Sequence, residues 1–176
     1  LVTQAHCEKV RGYVDLGVEE GADLVVDGRG LVVAGHDDGF FLGPCLFDNV
    51  TATMRIYQEE IFGPVLCVVR AESEEQAMQL IDSHEYGNGT CIFTRDGEAA
   101  RYFADNIQVG MVGINVPLPV PVAYHSFGGW KRSLFGDLYA YGPDSVSFYT
   151  RRKTITQRWP SGGVREKAQF SFPGRQ

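Results

Sequence analysis

Apolar segments alternate with amphipathic helical segments along this chain, and their order determines which class of fold the chain can form. Residues 90–94 and 109–115 are apolar runs typical of buried strands, and between them apolar side chains recur at helical spacing behind Asp96. Aspartate is a common N-cap residue, so Asp96 predicts the start of that helix. A strand, a helix and a second strand in this order form a βαβ unit with parallel strands. The sequence therefore predicts an α/β fold with a mainly parallel sheet and flanking helices.

The same signals predict further elements nearer the start of the chain. In chain order they are a helix over residues 3–20, strands over 22–28, 40–46 and 65–69, and a helix that starts at the capping box of Ser73 and Gln76 and ends at 87–89. The strand over 40–46 is expected to kink at Gly43 and Pro44, because a Gly-Pro pair interrupts regular structure.

The sequence from Pro117 onward has a different character. Three prolines stand at alternate positions, and Gly128, Gly129, Gly136, Gly142 and Pro143 follow. This composition forms neither a helix nor a central strand, so it predicts a long ordered loop, and such loops are usually functional. Residues 148–159 alternate between apolar and polar and predict an extended strand, whereas the polar tail over 161–176 is expected to fray.

Composition argues against several classes of function. The formal net charge of −6 disfavours a nucleic-acid partner, and no apolar run approaches the roughly 18 residues that a membrane span needs. The four cysteines, at positions 7, 45, 67 and 91, have no metal-ligand spacing, and Cys67 and Cys91 are predicted to be inert core thiols. These features fit a reducing, cytoplasmic setting. The first residue is Leu1, with no visible signal peptide, and we expect further sequence in front of it.

An acidic pair beside an apolar segment is the first candidate for a binding site. Glu59 and Glu60 run directly into Ile61, Phe62 and a Gly-Pro turn. This arrangement could hold one carboxylate and one aromatic ring at the mouth of a cleft, at the carboxyl edge of a sheet. The alternative is a solvated pair of glutamates before a buried strand, which is the more common situation for acidic side chains.

Four motifs occur in order along the chain: EEIFGPV over 59–65, GINVPLPVP over 113–121, FGGWKRS over 127–133 and FYTRRKTIT over 148–156. Together with their order they resemble the NAD(P)-dependent aldehyde dehydrogenases, and the resemblance covers residues 2–160. The proline-spaced motif resembles the CoA-acylating methylmalonate-semialdehyde branch of that superfamily, since the hydrolytic enzymes usually lack it. A hydrolytic aldehyde dehydrogenase, and a non-catalytic assembly module, remain as alternatives.

The resemblance implies a role for three residues. Glu60 matches the carboxylate that accepts hydrogen bonds from the ribose hydroxyls next to the nicotinamide of NAD. Phe62 matches the aromatic residue that packs near the nicotinamide ring, and Phe127 matches the aromatic residue at the inner end of the substrate tunnel, although core packing explains Phe127 equally well. Glu59 is expected to be structural.

Three further predictions concern residues outside that cofactor and substrate set. Asn115 is expected to tie down its loop through the side-chain amide, and His125 is expected to be a hydrogen-bonded structural histidine. The basic residues Arg151, Arg152, Lys153 and Arg158 lie on the predicted last strand. Basic side chains protect exposed sheet edges, but the resemblance implies that this strand joins a neighbouring subunit and forms a homo-oligomer. A contact between CoA phosphates and Lys131, Arg132 or these arginines stays open as an alternative, without support in the sequence.

Several parts of a complete aldehyde dehydrogenase are missing from the sequence. The family uses a cysteine nucleophile and a glycine-rich Rossmann turn, yet the chain has no G-x-G-x-x-G, and Cys7 would lie on an ordinary helix face. The resemblance therefore implies the C-terminal part of the catalytic domain over residues 1–135, a crossover loop and oligomerisation strand over 136–160, and a flexible tail over 161–176. The complete enzyme is expected to use NAD as its cofactor and CoA as a co-substrate. This chain alone is expected to be inactive.

Overall fold

The computed structural model describes residues 1–122, 124–157 and 159. Within these residues no helix has the length and apolar character needed to cross a membrane. Two clusters of buried apolar side chains organise the fold, one formed by residues before Arg70 and the other by residues after it.

The first cluster lies between a helix and a three-stranded sheet. Helix α1 (Gln4–Glu19) begins at Thr3, whose hydroxyl accepts a hydrogen bond from the backbone N–H of His6, and ends before Gly21, which has a φ of 90°. Strand β1 (Asp23–Val26) pairs antiparallel with β2 (Cys45–Asp48), and β2 pairs parallel with β3 (Val65–Cys67). The predicted helix is confirmed.

Helix α2 (Arg55–Gln58) lies between β2 and β3 in the chain and joins the first cluster. Val10, Val14 and Phe47 are completely buried there, and Ile56 of α2 and Ile61 after it pack against them. Burial of five such side chains from four segments fixes the segment 59–63 against α1, and this packing positions the candidate site.

The residues around the second cluster include the predicted βαβ unit, which the structure confirms. Helix α3 (Glu74–Ser83) starts at Ser73, whose hydroxyl accepts from the N–H of Gln76, and is followed by β4 (Tyr86–Gly87). Strand β5 (Gly89–Ile92), helix α4 (Gly97–Asn106) and strand β6 (Met111–Ile114) then form the unit. β5 and β6 pair parallel from Gly89 opposite Met111 to Ile92 opposite Ile114, and Asp96 caps α4 as predicted.

The last described elements are short. Strand β7 (Trp130–Lys131) pairs antiparallel with β4, a 3₁₀ turn covers Gly142–Asp144, and helix α5 covers Ser145–Tyr149. Neither the two-residue strands nor the four-residue helix α2 was predicted, because elements this short have no periodicity to detect.

Several sequence predictions of secondary structure were wrong. In the described part of the chain the strands form three separate sheets, and strand pairing is not mainly parallel, since two pairs are parallel and two are antiparallel. No helix separates β1 from β2 along the chain, so their connection does not impose a parallel crossover. The strand expected over 40–46 begins only at Cys45, because Pro44 has no N–H to donate to a ladder. Helix α3 ends at Ser83, before 87–89.

The predicted strand over 148–159 also differs from the structure. Phe148 and Tyr149 belong to α5, and residues 150–157 have no regular secondary structure. An isolated edge strand has no neighbour to complete its backbone hydrogen bonds, so alternation of side chains alone does not fix it as a strand. Arg158 and the tail over 161–176 lie outside the described residues.

Cysteine burial also departs from the prediction. Cys7 and Cys45 are the buried thiols, whereas Cys67 and Cys91 are only partly buried. Partial burial nevertheless raises the pKa of the Cys67 thiol, which keeps it in the unreactive protonated form.

Candidate cofactor-facing site

A cleft of about 860 Å³ separates two walls of the molecule. One wall consists of residues 57–60, and the other of Tyr86, Asn88 and residues 131–135, with His84 between them. Glu60 therefore lines this cleft, whereas Phe62 and Phe127 do not. The sequence predicted one carboxylate and one aromatic ring at the mouth of a cleft. Carboxylates of the pair line this cleft, but the ring of Phe62 does not.

Glu59 is held by side chains from two helices. Its carboxylate accepts hydrogen bonds from the Tyr13 hydroxyl of α1 and from Nε of Arg55 in α2, the latter at 2.8 Å. Hydrogen bonds from Arg55 and then Tyr13 lower the pKa of Glu59 to about 2, and the same bond to Glu59 raises the pKa of Tyr13. Glu59 is thus a structural anchor, as predicted.

Glu60 lines the same cleft as Glu59, but no neighbouring side chain among the described residues holds it in place. Its side chain is exposed and makes no hydrogen bond or ion pair within the part of the chain that the structure describes. Both carboxylate oxygens are therefore free to accept from a ligand, and an ionised carboxylate can accept from two adjacent hydroxyls at once. Glu59 fixes the backbone on one side of Glu60, and the buried Ile61 fixes it on the other.

Phe62 presents its ring to the outside through an unusual backbone conformation. Its φ is 59°, in the left-handed region that bulky side chains rarely adopt, and 77% of the residue is exposed. On the far side, Gly63 lies so close to α1 that a Cβ there would be 2.6 Å from Cγ1 of Val10. Packing of Ile61 and Gly63 against the core leaves the ring of Phe62 pointing away from it.

Phe127 and its neighbours form a separate group in the long loop. Phe127 is half-buried and stacks on Tyr141, with ring centroids 4.7 Å apart and planes at 23°. His125 is exposed and lies against Tyr124, with ring centroids 4.2 Å apart. The structure therefore does not bring Phe127 together with Glu60 in one cleft.

Asn115 ties down the loop after β6, as predicted. It has a φ of 56°, a conformation that asparagine tolerates better than most residues. Its side-chain oxygen accepts from the N–H of Thr94, and its side-chain nitrogen donates to the Thr94 carbonyl, both at 2.9 Å.

The motif over 127–133 has a structural role that the sequence did not reveal. Nζ of Lys131 donates to the carbonyls of Ile81, Asp82 and His84, at 3.1, 2.8 and 3.1 Å, and so caps the C-terminal end of α3. Arg132 pairs with Glu85. Both cations are engaged by the protein, which explains them without a phosphate ligand.

The glycines of this motif allow the close backbone approach. A Cβ on Gly129 would lie 2.3 Å from Cβ of Ser133 and 2.9 Å from Cα of Asn88. The hydroxyl of Ser133 accepts from the N–H of Gly87, so the motif closes one wall of the cleft against β4.

His84 connects the two walls. Its Nδ1 accepts from the N–H of Tyr86, at 3.1 Å, and its Nε2 lies 3.3 Å from the carbonyl oxygen of Tyr57. Because a carbonyl only accepts, Nε2 carries the proton. Sequence reasoning missed this residue and Tyr13, since nothing in either sequence context indicates a partner distant in the chain.

The comparison with protein families identifies the group to which these features belong. The model of the aldehyde dehydrogenase family matches residues 1–155. The chain belongs to the aldehyde dehydrogenase family. Its curated relatives include the malonate-semialdehyde dehydrogenase of Pseudomonas aeruginosa, 75% identical over 98% of this chain and 35% of the relative.

Solved structures agree with the family assignment. The methylmalonate-semialdehyde dehydrogenase of Oceanimonas doudoroffii is 71% identical, with a TM-score of 0.88 over 94% of this chain and 34% of that one. A protein described as a methylmalonate-semialdehyde dehydrogenase from Sinorhizobium meliloti, complexed with NAD, is 60% identical, with a TM-score of 0.89 over 92% and 33%. This aldehyde dehydrogenase family chain therefore has the α/β fold of the family, and it spans about a third of the length of these relatives.

Proposed function

We propose that this chain is the C-terminal part of an NAD-dependent, CoA-acylating dehydrogenase of methylmalonate or malonate semialdehyde. The observation that carries the proposal is the free carboxylate of Glu60 in the cleft, beside an anchored Glu59. The identity of 75% to a malonate-semialdehyde dehydrogenase and of 71% to a methylmalonate-semialdehyde dehydrogenase supports the substrate class.

The residues of this chain fit a nicotinamide cofactor. Glu60 offers two unengaged acceptor oxygens for the paired hydroxyls of a ribose, and the exposed ring of Phe62 offers an apolar face that limits where the nicotinamide sits. Bound NAD would accept hydride from the aldehyde carbon. In the proposed reaction the acyl group then passes to the sulfur of CoA, whose thiol loses its proton. The carboxyl group leaves as carbon dioxide or bicarbonate, and the product is propionyl-CoA or acetyl-CoA.

The remaining catalytic parts would come from other sequence of the complete enzyme. The chain spans only about a third of its relatives and carries no glycine-rich dinucleotide turn, so we assign the nucleophilic cysteine and the pyrophosphate site elsewhere. Alone, this chain is expected to be inactive. Phe127, packed on Tyr141, is proposed to contribute to the wall of the substrate tunnel.

The segment over 148–159 is proposed to join a neighbouring subunit. Its described residues 150–157 have no regular secondary structure here, and their exposed Arg151, Arg152 and Lys153 suit the edge of a sheet. Addition to the sheet of another subunit would satisfy the backbone groups of this segment and give a homo-oligomer.

Replacement of Glu60 tests the cofactor role. In the complete enzyme that contains this chain, Glu60→Gln should raise the KM for NAD about tenfold, because it removes a charge-assisted acceptor of two hydroxyl hydrogen bonds. Steady-state NADH formation at varied NAD measures this. Glu72→Gln, an equal change on an exposed side chain outside the cleft, is the control. Unchanged kinetics across NAD concentrations in Glu60→Gln would refute the assignment.

A further inference from the structure

The carbonyl of Phe62 has a partner that the proposed function does not use. Nε2 of His6 lies 2.8 Å from this oxygen, and the imidazole and phenyl rings are 6.4 Å apart at 60°. A carbonyl oxygen only accepts, so Nε2 carries a proton and donates it to the hydrogen bond. The bond therefore acts on the one residue of the segment whose backbone is in the left-handed region.

One face of α1 contacts the segment 59–63 at three of its residues. His6, Val10 and Tyr13 are spaced four and three residues apart, so they lie on the same side of the helix. Tyr13 bonds the carboxylate of Glu59, Val10 contacts Gly63, and His6 bonds the carbonyl of Phe62. The helix thus holds the segment at three points in succession.

The His6 contact is distinct from the other two. Tyr13 and Val10 contact the partly buried Glu59 and Gly63, whereas His6 contacts Phe62, of which 77% is exposed. Rotation of the Phe62 backbone out of the left-handed region would relieve its strain but would break the bond from His6 and redirect the ring. The bond therefore opposes the relaxation that would move the ring.

We propose that His6 is a positioning residue, which fixes the backbone of Phe62 and thereby the place of its ring beside the nicotinamide. This inference rests on the proposed role of Phe62. In this proposal the effect of His6 on the cofactor passes through the Phe62 ring, which its hydrogen bond to the Phe62 carbonyl holds in place.

Two replacements of His6 separate the hydrogen bond from the rest of the side chain. His6→Leu keeps an apolar body on α1 and removes the donor, and should raise the KM for NAD about fivefold, the effect of losing one hydrogen bond. His6→Gln places an amide N–H near the position of Nε2 and should restore a KM close to that of the unaltered complete enzyme. If His6→Leu does not fold, His6→Asn, which is too short to reach the carbonyl, replaces it.

A double-mutant cycle with Phe62→Ala distinguishes positioning from plain stabilisation. Phe62→Ala alone should raise the KM for NAD, and adding His6→Leu should then cause no further rise, because no ring remains to be positioned. The melting temperature should still fall on adding His6→Leu. An unchanged KM in Phe62→Ala would overturn the role of Phe62 and this inference with it. Two outcomes would overturn this inference alone, provided that Phe62→Ala raises the KM for NAD. In the first, His6→Leu leaves the KM unchanged, and in the second, His6→Leu raises the KM by the same factor with and without Phe62→Ala.

Discussion

Two adjacent glutamates in this chain have opposite surroundings. Glu59 accepts hydrogen bonds from Tyr13 and Arg55, whereas Glu60 has no partner among the described residues and lines the cleft. The order of residues explains the difference, since Glu59 caps α2 and lies within reach of Arg55 one helical turn earlier. The motif thus contains one acid that the protein holds in place and one that has no hydrogen-bond partner among the described residues.

The anchoring of Glu59 predicts a pH dependence of stability. The pKa of Glu59 falls from its ordinary value of 4.5 to about 2 in the folded protein, so its ionised form stabilises the fold. This contribution is fully present above about pH 4.5 and is lost as the pH falls toward 2. Glu59→Gln should therefore lower the urea midpoint at pH 7, and the difference from the unaltered protein should shrink steadily below pH 4.5.

Glu60→Gln is the matched control for this measurement. It makes the same chemical change at the next position, where no partner is lost, so it should leave the urea midpoint at pH 7 unchanged. A constant difference between Glu59→Gln and the unaltered protein from pH 7 to pH 3 would contradict the ionic anchor.

Among the secondary-structure elements, the helices were predicted correctly where an N-cap residue precedes apolar side chains at helical spacing. Thr3, Ser73 and Asp96 cap the helices α1, α3 and α4, and each side chain accepts the backbone hydrogen bond that its position predicts. The prediction of secondary structure was poorer where an element forms only by pairing with a segment that is distant in the chain. β4 and β7 exist only because Gly129 allows two distant segments to approach, and residues 150–157 have no neighbouring strand.

The proposed strand addition predicts the effect of proline on assembly. In a strand with one neighbour, alternate residues direct their N–H groups to it, so one of Thr154→Pro and Ile155→Pro removes a bond to the partner subunit. One of these variants should therefore shift the oligomer to smaller species in sedimentation velocity. Thr154→Ala and Ile155→Ala, which keep the N–H, are the controls. Two proline variants with unchanged sedimentation would argue against strand addition at this segment.

At the scale of the whole molecule, the family could be predicted from four motifs in order, while the site could be predicted only in part. The motifs led to Glu60, and the structure places this residue in a cleft. They did not lead to Lys131 as the cap of α3 or to His84 between the walls, because those contacts join residues remote in sequence. Phe127 stacks on Tyr141 outside that cleft. It lies in a loop without helical or strand periodicity, so the path of the loop could not be predicted from the sequence.

The CoA dependence of the reaction separates a CoA-acylating dehydrogenase from a hydrolytic one. The complete enzyme that contains this chain is supplied with malonate semialdehyde and NAD, with or without CoA, and NADH and the acyl product are followed together. A CoA-acylating enzyme should show sustained NADH formation only with CoA, and should form acetyl-CoA in an amount equal to the NADH. Equal turnover without CoA, with release of the free acid, would show a hydrolytic aldehyde dehydrogenase and contradict the proposed function.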